Sequence, residues 1–224
     1  MNEEREYTGI KTAYAASKNI YDTVLSQKTW WAKLYISFFW GGVKDWEIAE
    51  KISEMIPADF SGRLLDVPVG TGMFTAGMYE KLPGAEICCL DYSEDMLRQA
   101  RARFSEMNLA HVTCMQGDVG ALHFAVESFD IVLSMNGFHA FPDKEKAFLE
   151  TARVLKPGGL FCGCFYIREQ SRRTDFLVNA LFARKGWFTP PFDTAEQLQA
   201  RLEQMYSKVT IQNRKAMVYF RCVK

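Results

Sequence analysis

The strongest constraint on the fold lies between residues 63 and 166, where short continuous apolar runs alternate with stretches of helical periodicity. The strand candidates are residues 63–67, 86–90 (EICCL), 111–115, 129–135 (FDIVLSM) and 160–166 (LFCGCFY). Their apolar residues follow one another with little polar alternation, as expected of strands buried on both faces. Helical stretches intervene at 73–81, at 94–107 and at 143–155. The second starts behind Ser93 as a cap and turns Met96, Leu97, Ala100 and Phe104 inward. Alternation of this kind folds into a mostly parallel sheet with helices on both faces. Thr194 caps a further helix, and residues 208–212 and 216–223 read as a closing strand pair around the turn NRK. The expected fold class is a Rossmann-like α/β sheet of seven strands.

Residues 1–60 contain no strand signal and read as a helical N-terminal cap to a domain spanning 61–224. Helical spacing is present at 12–26, and Asp45 is a candidate cap for a helix over 46–55. Between them lies TWWAKLYISFFWGG, an aromatic segment that serves either as a packed helix or as a lid and substrate wall. Residues 167–192 break the strand–helix rhythm with Arg168, Arg172, Arg173, a second aromatic cluster and a double proline, so they read as an inserted helix and loop.

Charge and length exclude several function classes. With 27 basic and 27 acidic residues the net charge is zero, which argues against a nucleic-acid groove or a polybasic membrane patch. No apolar run approaches the ~18 residues of a membrane-spanning helix. The start MNEEREYTG lacks the basic and apolar regions of a signal peptide. Six cysteines, none in a CxxC pair, read as buried reduced thiols in a cytoplasmic protein, and with three scattered histidines they predict no metal site.

In a doubly wound sheet, ligands bind at the carboxyl ends of the strands, so the exit of the first strand, LLDVPVGTG (64–72), is the place to look. Its glycines let backbone N–H groups approach a ligand, and the following helix start favours negative charge. A P-loop is excluded because Met73 and Phe74, not Lys and Ser or Thr, follow Gly72. A dinucleotide fingerprint is matched only in part, by Gly70 and Gly72, since Thr75 stands at its third glycine. S-adenosylmethionine is a third candidate: an acid at the strand end, Asp66, suits its ammonium, and the glycine loop suits the carboxylate side.

The stretch LLDVPVGTG resembles the first motif of the class I S-adenosylmethionine-dependent methyltransferases, in which an acid precedes alternating glycines. Three further stretches agree in order and spacing: ICCLDYSEDML with Asp91, CMQGDVGAL with Asp118, and VLKPGGLF at 154–161. The likeness is of the methyltransferase type 11 kind, and YDTVLS at 21–26 is loosely similar to the first helix of the ubiquinone- and menaquinone-type enzymes. The resemblance implies S-adenosyl-L-methionine as cofactor, with no metal. It implies methyl transfer by in-line displacement to an N, O, S or C atom of a small-molecule acceptor. Asp66 with the loop Pro68, Gly70 and Gly72 would hold the methionine end, and Asp91 the ribose. Asp118 and Val119 would hold the adenine, which Tyr92 and Met96 would border. Asn136 would lie beside the methyl group. Pro68 stands where the family has glycine, and its fixed φ and missing N–H suit a loop that does not use that donor. His139, after the fourth strand, is the candidate general base, or else it orients a loop. Tyr21, Trp30, Trp31, His139 and Arg168 are the candidate acceptor contacts; the arginine run around Arg168 reads equally as a solvated helix face. A nicotinamide-dependent oxidoreductase and a non-catalytic S-adenosylmethionine-binding protein remain as alternatives.

Overall fold

A computed structural model describes residues 45–184 and 186–224. Helix α1 (Asp45–Ser53) leads to β1 (Arg63–Asp66), α2 (Ala76–Tyr79), β2 (Glu86–Asp91), α3 (Glu94–Glu106) and β3 (Val112–Gln116). There follow β4 (Phe129–Met135), α4 (Lys144–Val154), β5 (Leu155–Tyr166) and α5 (Arg172–Leu177), which runs on as a π-helical turn (Val178–Phe182). The chain closes with α6 (Ala195–Met205), β6 (Lys208–Arg214) and β7 (Met217–Val223). The strands make one seven-stranded sheet in the order β3-β2-β1-β4-β5-β7-β6. All neighbours from β3 to β5 pair in parallel, and only β7 runs against its neighbours β5 and β6. This is the mostly parallel, Rossmann-like sheet expected from the sequence.

Successive strand residues enter two different cores. Leu64, Ile87 and Cys89 face one layer with Ile48, Ile52, Leu97 and Phe104 from α1 and α3. Leu65, Cys88 and Leu90 face the other with Phe148 of α4 and Leu198 and Leu202 of α6. Both faces of the sheet are therefore dry, which is why the strands read as unbroken apolar runs. All six cysteines are free, and Cys114 is the one not fully buried. Ser93, Asp143 and Thr194 each cap a helix through a side-chain oxygen.

Some local expectations are corrected. The helix expected over 73–81 is regular only in Ala76–Tyr79. Gly70 and Gly72 hold φ of +58° and +68°, and the turning continues through residues 73–75 before the helix begins. A four-residue helix also lacks the aligned peptides needed for much positive charge at its start. β3 is an edge strand with Met115 43% exposed. β5 begins at Leu155 and so includes the KPGG stretch that lay between the expected helix and the expected strand, and the β4–β5 register shifts between Phe129 and Ile131. The hairpin turn falls after Arg214, so NRK belongs largely to β6.

Residues 1–44, with Tyr21, Trp30, Trp31 and the aromatic segment, lie outside the described residues. Where the cap region is described, Ile48 and Ile52 of α1 and the following Ile56 join the core of the sheet itself. Glu47 pairs with Arg214 at 2.7 Å, and the Lys51 ammonium lies 4.6 Å from the Tyr219 ring centre. The inserted segment forms a small core of its own from Tyr166, Val178, Phe182, Phe188 and Phe192.

Gly163 marks the tightest strand contact. A Cβ there would lie 1.9 Å from the Ser134 carbonyl oxygen of β4 and 3.0 Å from the Phe220 ring. Gly163→Ala is expected to cost about 3 kcal/mol in urea denaturation, the upper range for overpacking. Gly77→Ala, where a Cβ meets nothing within 4 Å in α2, is expected to be neutral or stabilising by up to about 1 kcal/mol.

Candidate ligand site at the carboxyl ends of β1 and β4

The chain crosses from β1 to β2 on one side and returns to β4 on the other, so the crevice opens over the ends of β1 and β4. Asp66 ends β1 fully buried. Its Oδ2 accepts a short hydrogen bond from the Tyr79 hydroxyl, while Oδ1 has no partner among the described residues. Burial pushes the Asp66 carboxyl up to about 7, against the opposing pull of the Tyr79 hydrogen bond. Two more buried oxygens on the β4 side, Ser134 Oγ and Asn136 Oδ1, also lack partners among the described residues. Buried polar atoms without partners are uncommon, and several at one strand end suit a polar ligand.

The glycine loop is fixed from both sides. Val69 N–H donates to the Leu90 carbonyl at 3.0 Å, and Gly70 N–H to Asp91 Oδ2 at 2.8 Å. The two glycines serve different ends. A Cβ at Gly72 would strike Phe104 of α3 at 2.6 Å, whereas one at Gly70 would meet nothing within 4 Å. Gly72 is thus demanded by packing below the loop, and Gly70 faces open space. Pro68 follows a cis peptide and rests on the bare Cα of Gly137: a Cβ at Gly137 would come within 2.3 Å of the proline Cδ. The proline therefore fills the gap between the β1 and β4 exits, and the loop is ordered by the N–H groups after it.

Asp91, 7% exposed, accepts Ser93 N–H on Oδ1 at 2.8 Å besides Gly70 on Oδ2. Each oxygen keeps a lone pair for a further donor. Burial raises the Asp91 carboxyl to about 6 against these backbone bonds. Beside it, Tyr92 is half-buried, and Met96 is buried in the first turn of α3. Asp118 Oδ1 accepts Gly120 N–H at 2.8 Å, and Val119 is buried. Together they line a recess of about 210 Å³ with Pro142, Asp143 and Lys146. Asn136 turns at φ +56°, and its N–H donates to the Cys164 carbonyl at 2.7 Å.

Residues 64–159, from β1 into β5, match the methyltransferase domain family. Over this stretch the chain carries a methyltransferase domain, and it is similar there to named methyltransferases. It is 41% identical over 97 residues to a demethylmenaquinone methyltransferase of Thermus thermophilus, covering 43% of this chain and 44% of that one. It is 30% identical over 164 residues to an uncharacterised chloroplastic methyltransferase of Arabidopsis thaliana, covering 71% of this chain and 46% of the relative. The chain thus spans less than half the length of these relatives. In fold it is similar to the phosphoethanolamine N-methyltransferase 2 of Haemonchus contortus in complex with S-adenosyl-L-methionine. That match has a TM-score of 0.68 at 18% identity, over 91% of this chain and 59% of that one.

His139 and Arg168 are engaged by the chain itself. His139 is buried, its Nδ1 accepts the Tyr166 N–H at 3.2 Å, and its ring stacks on Phe188 at 4.0 Å. Burial, then the nearby Lys144 charge, depress its pKa to about 3. In this arrangement Nδ1 of His139 is engaged by the Tyr166 N–H, which ties the β4 exit to the end of β5. Arg168 donates from Nε to the Phe192 carbonyl at 2.8 Å, from Nη2 to Gln197 at 3.2 Å, and from Nη1 to Glu169. It ties the insertion to α6 and leaves little of its donor fork for an acceptor. Tyr79, Ser134 and Lys144 were not singled out from the sequence. Lys144 donates to the carbonyls of Phe141 and Thr189, joining the β4 exit to the insertion. Tyr79 meets Asp66 13 residues away and Lys144 meets Thr189 45 residues away, distances that no local pattern marks.

The buried carboxyls set a pH dependence. Asp66 keeps its proton to about 7 when folded against 3.8 in the free state, so the native state binds more protons between these values. Stability then falls as pH rises through this window, by on the order of 4 kcal/mol for a shift of about three units. Thermal melts of the ligand-free protein from pH 5 to 8 are expected to show a falling Tm, and Asp66→Asn to remove most of that slope.

Proposed function

We propose that this chain binds S-adenosylmethionine over the ends of β1 and β4 and transfers its methyl group to a small-molecule acceptor. The observation that carries the reading is the fully buried Asp66, with one carboxylate oxygen unpartnered among the described residues, beside a glycine turn open at Gly70. A buried carboxylate there suits an ammonium and repels a pyrophosphate, which disfavours the nicotinamide alternative. When bound, S-adenosylmethionine supplies a methyl group on a cationic sulfur. Asp66 and the loop of Pro68, Gly70 and Gly72 would hold its amino-acid end, and Asp91 would accept from the ribose hydroxyls. Asp118 and Val119, bordered by Tyr92 and Met96, would hold the adenine, with Asn136 near the methyl group.

The protein's share of the work is alignment and exclusion of water. For the acceptor we take a small aromatic ring of the quinol kind, supported by the Thermus thermophilus relative, whose name states a demethylmenaquinone. The insertion after β5 borders the acceptor side, and Tyr21, Trp30 and Trp31 of the N-terminal segment are proposed as further contacts.

The test is a thermal-shift titration with S-adenosylhomocysteine, S-adenosylmethionine and NAD. At about 100 times its dissociation constant a ligand adds roughly 2.7 kcal/mol, or about 5–10 °C for a domain of this size. A rise with the adenosyl compounds, abolished by Asp91→Ala, is expected. A rise with NAD alone would overturn the reading. Binding without turnover on a panel of quinols, phenols, amines and thiols would select the non-catalytic alternative.

A further inference from the structure

Tyr79 has no part in the cofactor contacts proposed above, yet its hydroxyl is the side-chain donor on Asp66 Oδ2. Both residues are fully buried. The Tyr79 hydroxyl donates to Asp66 Oδ2 and leaves Oδ1 without a hydrogen-bond partner among the described residues. A free carboxylate on an aspartate rotates about its last bond and presents either oxygen. One strong buried donor on Oδ2 removes that freedom and leaves Oδ1 as the oxygen for a cation.

The phenol is itself held from three directions. Its ring meets Phe104 of α3 at 5.7 Å between centres, the same ring that lies beneath Gly72. Its carbonyl is 3.1 Å from His111 Nε2. Cys89 Sγ lies 3.8 Å from its hydroxyl oxygen. These contacts come from α3, from the approach to β3 and from β2, so α2 is locked in place although it is only four residues long.

We infer that Tyr79 is a positioning residue for the cofactor's amino-acid end: by occupying Asp66 Oδ2 with its hydroxyl it aims Oδ1 into the crevice. The inference rests on the proposed binding of S-adenosylmethionine. The titratable groups facing Asp66 are Tyr79 from α2, Cys89 and Asp91 from β2, and Cys162 from β5, with Cys114 of β3 behind Cys89. Burial raises the pKa values of Tyr79, Cys89 and Cys162, the Cys89 contact lowers that of Cys114, and burial lifts Asp66 to about 7 and Asp91 to about 6.

The experiment is calorimetric titration of the full chain with S-adenosylhomocysteine from pH 5.5 to 8.5. Binding is expected to tighten as pH rises and Asp66 ionises. Tyr79→Phe keeps the ring packing and removes the donor. It is expected to move the midpoint of this curve up by about one unit and to weaken binding about tenfold at pH 6.5. In an Asp66→Asn background the same change is expected to do little. Should Tyr79→Phe fold poorly, 3-fluorotyrosine at position 79, a stronger donor of nearly the same shape, is expected to move the midpoint down. An unchanged midpoint in folded Tyr79→Phe, or an equal loss at every pH, would overturn the positioning role. Failure of the wild-type chain to bind would instead overturn the cofactor reading.

Discussion

The carboxyl group of Asp66 is fully buried at the end of β1, and the surrounding structure is arranged around keeping it there. Its strand is flanked by β2 and β4 and covered on both faces, so solvent reaches it from neither side. A charge in such a place is costly unless hydrogen-bonded. One bond comes from the Tyr79 hydroxyl, and the second oxygen is left for whatever enters the crevice. The short α2, the ring of Phe104 and the left-handed turn at Gly72 are parts of one contact that supports that phenol. The site is thus a consequence of how α2 and α3 pack, as well as of the loop that connects strand to helix.

On the opposite wall, the β4 exit and the insertion after β5 hold one another. His139 accepts from Tyr166 and stacks on Phe188, and Thr189 N–H returns to the His139 carbonyl at 2.9 Å. Lys144, its pKa drawn down to about 8 mainly by burial, donates across the same seam. Aromatic residues that would suit an open acceptor wall are spent on this internal core. Changes in the insertion would therefore reach the ligand crevice through the β4 exit loop.

The sheet was legible because parallel strands buried on both faces show as continuous apolar runs, and because Ser93 and Thr194 carry caps in the side chain itself. The glycine loop was legible because Asp66, Gly70 and Gly72 are neighbours in the chain. What was not legible depends on distance. Helix periodicity at 73–81 could not show that the turning continues through residues 73–75 and the helix begins at Ala76. His139 offered an imidazole to sequence reasoning, but the N–H that occupies it belongs to Tyr166, 27 residues on. Arg168 likewise meets its partners at Phe192 and Gln197.

By itself the sequence determined the class of fold, the strand whose exit carries the glycine loop, and the chemical type of the groups there, since each follows from residues within a few positions of one another. Only the tertiary structure decided which groups are free to act. It engaged His139 and Arg168, seated Pro68 against Gly137, and left Asp66 with one open oxygen by bringing Tyr79 beside it. The physical reason is that a polar atom's availability depends on who else is within about 3 Å, and in a buried sheet those neighbours come from other layers.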